Sequence, residues 1–264
     1  NVAEFIKRVK DDTTFHKAFL NLKILGYTSI NDIRMMDKRQ NVIASLNSRT
    51  QQFRSANCRW TKTIEEKSTG DIYDKQKQFN YYTAQMYASI FLAPDTVCGE
   101  TNIVAGTAFS TAGKSGISKH KEQLKMLFFN PGKRIPGLPF IGNKVALFDK
   151  DVATNYDFII DMDDYKGKAC YVFKMIPLPG KKSNIVINEM TTWFDTNNWE
   201  IVGRNYDLSY SAGVYDFDVH IEVEMTKFGE YLVPKVMRYN GNWDVVFKKR
   251  ERGIFTATLF GFRK

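Results

Sequence analysis

The sequence predicts an α+β protein: one large, curved antiparallel β-sheet, a half-barrel, with three or so helices covering its concave side. Three observations carry this. Residues 215 to 226, "YDFDVHIEVEMT", alternate without a break, with Tyr215, Phe217, Val219, Ile221, Val223 and Met225 on one face and acids or His220 on the other. That is a long antiparallel strand with one covered and one wet face. Three segments instead repeat apolar residues every three or four positions, as helices do. From Asp157 onward no helical period appears, and short runs alternate with turn-forming clusters such as "KGK", "PGKK", "DTNN", "KFGE" and "NGN".

Taken in order, Phe5, Ile6 and Val9, then Phe15, Ala18, Phe19 and Leu22, predict helix over the first 25 residues, stopped at Gly26. From Tyr27 to about Lys67 the chain reads as β-like runs, including "TSINDIRMM" and "NVIASLNS". Phe79, Tyr82, Met86 and Ile90 share a stripe within a helix expected over 74–93, ended by Pro94. A third helix is expected over 116–129, with Ile117, Leu124, Leu127 and Phe128 on one side. "NPGKRIPGLPFIGNK", from Asn130, is a stiff loop that cannot form a central strand. It reads either as a lid or docking loop or as a loop packed over a core edge. In the last third, Asn240-Gly241 is a type I′ hairpin signal, which would fold "YLVPKVMRY" back on "NWDVVFKKRER". Pro234 then requires a bulge, a strand end or an edge. With 264 residues, 43% hydrophobic and 14% aromatic, the chain is expected to form a single domain, 1–264, with the helical and loop insertion at about 70–145.

Short motifs carry little chemistry. "AFSTAGKS", 108–115, fits a relaxed phosphate-loop pattern with alanine for the first glycine, and Lys114 would reach the phosphates. Such a loop needs a parallel sheet of βαβ units, which the antiparallel strands after 157 do not offer. "DMDDYKG", from Asp161, has alternate carboxylates like a calcium loop, but Tyr165 breaks the pattern and no glutamate sits at the twelfth position. His16, His120 and His220 have no Cys or Ser at a telling spacing. No metal, cofactor or catalytic residue is expected. Cys58, Cys98 and Cys170 leave two readings: a disulfide, for instance Cys58 with Cys98, plus an odd thiol, or three free buried thiols.

The net charge of +9 raises a nucleic-acid or anionic-surface reading through Lys248, Lys249, Arg250 and Arg252. The charge distribution opposes it. Residues 186–226 hold eight acids against one Arg, and 230–264 hold eight bases against three acids. Adjoining segments of opposite sign suit neighbouring strands better than one basic face. "KKRER" therefore reads as the polar outer side of a strand opposite the acids of 216–224, and no nucleic-acid partner is expected.

The run "CYVFKMIP", "TTWFDTNNWEIVGRNYD", "YDFDVHIEVEM", "YLVPKVMRY" and "FTATLFGF" resembles the periplasmic lipoprotein-carrier superfamily (LolA-like), over about 157–264. Its hairpin with a Trp-containing strand and its "VPK" strand are the closest points. More broadly, the chain resembles Bacteroidetes-type cell-envelope proteins of unassigned role. The resemblance implies an antiparallel half-barrel that holds acyl chains, and so a non-enzymatic, bacterial, periplasmic or envelope protein. Its expected partner is a lipid, an acyl chain or a lipoprotein. The start at Asn1, without Met, adds the expectation of a removed signal peptide, with membrane association at most through a lost N-terminal lipid anchor. The candidate ligand-binding residues are Phe217, Val219, Ile221, Val223 and Met225, and across the sheet Met237, Trp243, Val245 and Phe247. They would line an open cavity or pack as a closed core against the helices. No run approaches the eighteen or so apolar residues of a membrane helix.

Overall fold

The computed structural model describes residues 2–91, 95–104, 126–135, 143–181, 185–211, 215–245 and 249–264. Its eleven described strands belong to one open sheet, and each described pairing is antiparallel. The α+β class expected from the alternation at 215–226 is thus what the chain adopts. The chain divides into two compact units, Asn1–Lys17 with Ile103–Tyr210, and Ala18–Asn102 with Ser211–Lys264.

The first unit holds α1 (Val2–Asp11), a short α4 (Lys150–Ala153) and the strands β5 (Tyr156–Tyr165), β6 (Lys168–Pro177), β7 (Ile187–Asp195) and β8 (Ile201–Ser211, its last residue beyond the unit's limit). Consecutive strands pair as hairpins, with turns at "KGK" and "DTNN" as expected. Aromatic side chains fill the covered face. Phe5 of α1 stacks on Phe173 at 6.1 Å between centroids and meets Phe194 and Trp199 edge-on or tilted. Trp199 is stacked on Tyr171 at 4.6 Å and carries the Arg8 guanidinium 4.5 Å from a ring centre. Such rings contribute packing beyond their buried area.

The second unit holds a 3₁₀ turn (Leu22–Ile24), β1 (Gly26–Met36), β2 (Val42–Ser55), β3 (Cys58–Thr69), α3 (Tyr82–Phe91), the two-residue β4 (Val97–Cys98), β9 (Tyr215–Phe228), β10 (Tyr231–Val245) and β11 (Glu251–Arg263). Its strand order is β4-β3-β2-β1-β11-β10-β9, so the C-terminal strand pairs with the first one. α2 (Thr14–Asn21) contains the sequence boundary between the units.

Several expected elements are redrawn. The N-terminal helix breaks at Asp12, because its carboxylate accepts from Thr14 N at 3.2 Å and Thr14 Oγ1 at 2.7 Å and so starts α2 afresh. The helix expected over 74–93 begins only at Tyr82. Asp74 Oδ1 accepts from the backbone N–H groups of Gln76 and Gln78, both at 2.8 Å, and winds 74–80 into a tight loop closed by a Tyr73–Phe79 bridge. Of the helix expected over 116–129 the described part, 126–129, is helical.

The largest correction is at Asn240-Gly241, which makes no turn. β10 runs straight through it, pairing with β9 from Tyr231 to Val245, and neither residue has the positive φ that a type I′ turn needs. Gly241 is there for a different reason. A Cβ at 241 would collide with the Tyr239 ring, which lies along the strand and accepts from Trp243 Nε1. Gly203 has the same use under Tyr165, whose Cζ would stand 2.6 Å from a Cβ. Pro234 does sit at a register shift, between Pro234 and Val236.

Candidate functional site

Alternation along β9 and β10 gathers the predicted residues onto one face, since antiparallel register sets Phe217 opposite Trp243, Ile221 opposite Tyr239 and Val223 opposite Met237. All seven whose side chains are described are buried: Phe217, Val219, Ile221, Val223, Met225, Met237 and Trp243. Phe217 and Trp243 lie 4.9 Å apart between centroids. Val245 ends β10, without a described side chain, and Phe247 lies outside the described residues. Sequence reasoning missed Tyr239, buried at the centre of this face, because the hairpin assigned to Asn240-Gly241 hid the strand's continuity.

The face continues across β11 through Phe255 and Ala257, and α3 lies on it there. Tyr87 of α3 is stacked on Phe255 at 4.9 Å and meets Tyr239 edge-on at 4.7 Å. Burial pushes the Tyr239 hydroxyl well above its usual pKa, opposed by the Trp243 hydrogen bond and aided by Tyr82.

What holds α3 there is the acid inside "KKRER". Glu251, opposite Trp243 in register, accepts from Tyr82 N and Thr83 N at 2.8 Å each and from Thr83 Oγ1 at 2.6 Å. One carboxylate thus satisfies the first free amides of a helix 169 residues earlier in the chain. The remaining charges of that run are corrected accordingly. Lys248 lies outside the described residues, Lys249 and Arg250 belong to no regular element, and β11 begins at Glu251. Arg250 faces Asp244 at 3.7 Å, and Arg252 donates to Lys38 O at 2.8 Å. The acids of β9 pair instead with bases of β10, Glu222 with Arg238 at 3.3 Å and Glu224 with Lys235 at 3.2 Å. Opposite charges do meet across neighbouring strands, but the acids of β9 take their bases from Lys235 and Arg238 and not from "KKRER".

Toward β1 and β2 the covered face turns polar. Asn31 Nδ2 donates to Ser48 Oγ at 3.3 Å and to Thr50 Oγ1 at 3.1 Å, while Ser29 Oγ donates to Asn31 Oδ1 at 2.8 Å. Beyond them Gln52, 1% exposed, donates to Leu22 O and Leu25 O at 2.6 Å each. These groups hold the entry to β1. Arg59 also donates to Gln52 Oε1 at 2.9 Å and bridges to Glu100 at 2.6 Å, with Lys23 on the same carboxylate at 3.0 Å. Burial would raise the Glu100 pKa, and the hydrogen bonds and charges of Arg59 and Lys23 outweigh it and hold it low. Next to this network Cys58 and Cys98 form a disulfide between β3 and β4, leaving Cys170 as a buried thiol. This resolves the two readings of the cysteines.

Two other motifs fare differently. The phosphate-loop candidate, 108–115 with Lys114, lies outside the described residues, as do residues 136–142 of the Pro/Gly loop. In "DMDDYKG", Asp164 Oδ1 accepts from Gly167 N at 2.7 Å and Asp161 and Asp163 each cap the next backbone N–H, so these carboxylates serve the turn and the strand's own amides.

Fold and faces define an antiparallel-sheet protein with covered apolar surfaces. No protein-family model matches the sequence, and no curated protein matches it. Solved structures similar to the chain include the following three. One is a domain classed with outer membrane lipoprotein-sorting proteins, from Vibrio parahaemolyticus, at 10% identity and TM-score 0.30 over 90% of this chain and 84% of that one. Another is a LolA superfamily protein from Nitrosomonas europaea, at 8% identity and TM-score 0.29 over 95% and 91%. A third is a DUF1329 family protein from Desulfovibrio piger, at 11% identity and TM-score 0.28 over 95% and 93%. At these identities no residue role passes from them to this chain.

Proposed function

We propose that this is a non-enzymatic cell-envelope protein that takes a hydrophobic ligand or a lipidated partner over the covered face of its sheet. The observation that carries the reading is the apolar face of β9 and β10, from Phe217 to Met225 and from Met237 to Trp243, continued by β11. A surface of that extent gains roughly 25 cal/mol for each Å² of apolar area it covers, whether by the protein's own helix or by an acyl chain. The Cys58–Cys98 disulfide supports an oxidising compartment such as a periplasm. Two of the four bases offered for nucleic acid are engaged within the protein: Arg250 faces Asp244 and Arg252 holds a backbone carbonyl.

The test is native mass spectrometry of the chain purified without detergent from its own host, followed by organic extraction. The expected result is a stoichiometric lipid adduct that disappears on extraction, with the emptied protein binding a fluorescent long-chain probe. An adduct-free mass together with no uptake of the probe overturns the reading and leaves the face as a closed core.

A further inference from the structure

The covered face of the first unit carries, among the described residues, one buried guanidinium that no carboxylate ion-pairs. Arg204 of β8 stands opposite Thr192 of β7, which stands opposite Phe173 of β6. The side chain is thus set into a face of aromatic and apolar groups, and the residue is 5% exposed. Its Nε donates to Thr192 Oγ1 at 2.9 Å, and its guanidinium carbon lies 4.3 Å from the centre of the Phe15 ring. A hydroxyl and a ring face orient a guanidinium without neutralising it. Its two terminal nitrogens donate to no acceptor among the described residues.

No carboxylate among the described residues makes an ion pair with Arg204. Burial draws its pKa down and the charge of Asp12, whose Oδ1 is engaged with Thr14, opposes this. A second cation stands nearby: Lys133 is partly buried and donates to Lys10 O. Burial lowers its pKa, the charges of Asp12 and Asp11 oppose this, and those of Arg204 and Lys10 add to the lowering. Two neighbouring cations, both penalised by burial and neither ion-paired, are an arrangement that an anion completes.

We propose that Arg204 and Lys133 form a binding site for an oxyanion, a carboxylate or a phosphate, on the covered face of β6–β8. The planar fork of the guanidinium can hold two oxygens of such a group, and the lysine supplies a point charge beside it. This site does not depend on the hydrophobic-ligand reading, which rests on the face of β9 and β10.

The test is calorimetric titration of the full chain with acetate, inorganic phosphate, dodecanoate and dodecyl phosphate, with dodecanol as the uncharged control. Binding of at least one oxyanion is expected, weakened roughly 10- to 100-fold by Arg204→Met and several-fold by Lys133→Gln. Equal binding of the short and dodecyl probes identifies a free anion as the occupant; binding of the dodecyl probes alone identifies the head of an amphiphile. The proposal is overturned if Arg204→Met leaves every oxyanion affinity within about twofold, or if dodecanol binds as well as the charged probes. Ligand-free Arg204→Met should melt at or above the wild-type temperature, since it removes an unneutralised buried charge. A lower melting temperature with unchanged binding makes Arg204 a structural cation. Should the variant fail to fold, the Nε–Hε resonance of Arg204 in the wild-type chain decides: it must shift on titration with phosphate or dodecyl phosphate, and a resonance unmoved by both overturns the site.

Discussion

The two units treat their buried charged groups differently. In the second, buried polar side chains mostly answer one another or the backbone. Asn31 joins Ser29, Ser48 and Thr50, Gln52 takes up two carbonyls before β1, and Glu251 caps α3. In the first, the covered face is packed with rings, Phe148, Phe158 and Phe173 lying within about 6 Å of one another, and the buried Arg204 guanidinium makes no ion pair among the described residues. Closed polar networks are architecture, because removing a member strands its partners. An open one points to something outside the chain. Each prediction below perturbs one unit and leaves the other as the control.

The largest expected effect belongs to the disulfide. Cys58 and Cys98 are 40 residues apart, and a cross-link of that span restricts the unfolded chain by about 4 kcal/mol in the chain-entropy model. Cys58→Ser with Cys98→Ser should therefore lower the denaturation midpoint strongly. In hydrogen exchange, amides of β3 should lose protection while those of β6 and β7 keep theirs. Equal loss in both units would show that they unfold together and would remove the contrast as a description of stability.

Alkaline pH gives the next largest effect. Burial, opposed by Arg59 and aided by Glu100, pushes the Tyr27 hydroxyl up to about 12. The unfolded chain's tyrosines ionise near pH 10, so the unfolded state releases its proton first and gains from rising pH. The contribution of Tyr27 is therefore complete below about pH 10 and is lost as pH climbs through about 12. Two pKa units correspond to about 2.7 kcal/mol. Urea midpoints measured between pH 9 and 12 should fall in wild type and fall less in Tyr27→Phe. Parallel curves for the two proteins would mean that Tyr27 is not sealed by its surroundings.

The β9 alternation was legible because period two needs no partner to be seen: a charged residue between every apolar pair leaves one assignment of faces. It placed five candidate residues, Phe217, Val219, Ile221, Val223 and Met225, on what is the buried face. The strand β10 was harder. Asn-Gly is a local signal, and here a long-range demand overrode it, the room that the Tyr239 ring needs over Gly241. The helix start at Tyr82 was invisible for the same reason, since its cap comes from residue 251 and not from the preceding turn. Arg204 was passed over in sequence because "IVGRNYD" shows one base among polar residues, and only the pairing of β7 with β8 sets it opposite Thr192. Charge runs misled in one more way: "KKRER" reads as the polar outer side of one strand, yet its described members have different tasks.

The smallest effect tests that point. Glu251→Gln keeps the size of the side chain and one accepting oxygen but removes the negative charge at the N-terminus of α3. The amides of Tyr82 and Thr83 then share a weaker acceptor, and the expected cost is about 1 kcal/mol. Exchange of the amides of α3 should quicken several-fold, with Tyr87 packing less firmly on Phe255 and the amides of β6 to β8 unchanged. Glu251→Lys should do worse, placing a cation against the positive end of the helix. If both variants leave α3 protection as in wild type, the helix is held by Tyr87 and its ring contacts alone, and the acid in the basic run is a surface charge like its neighbours.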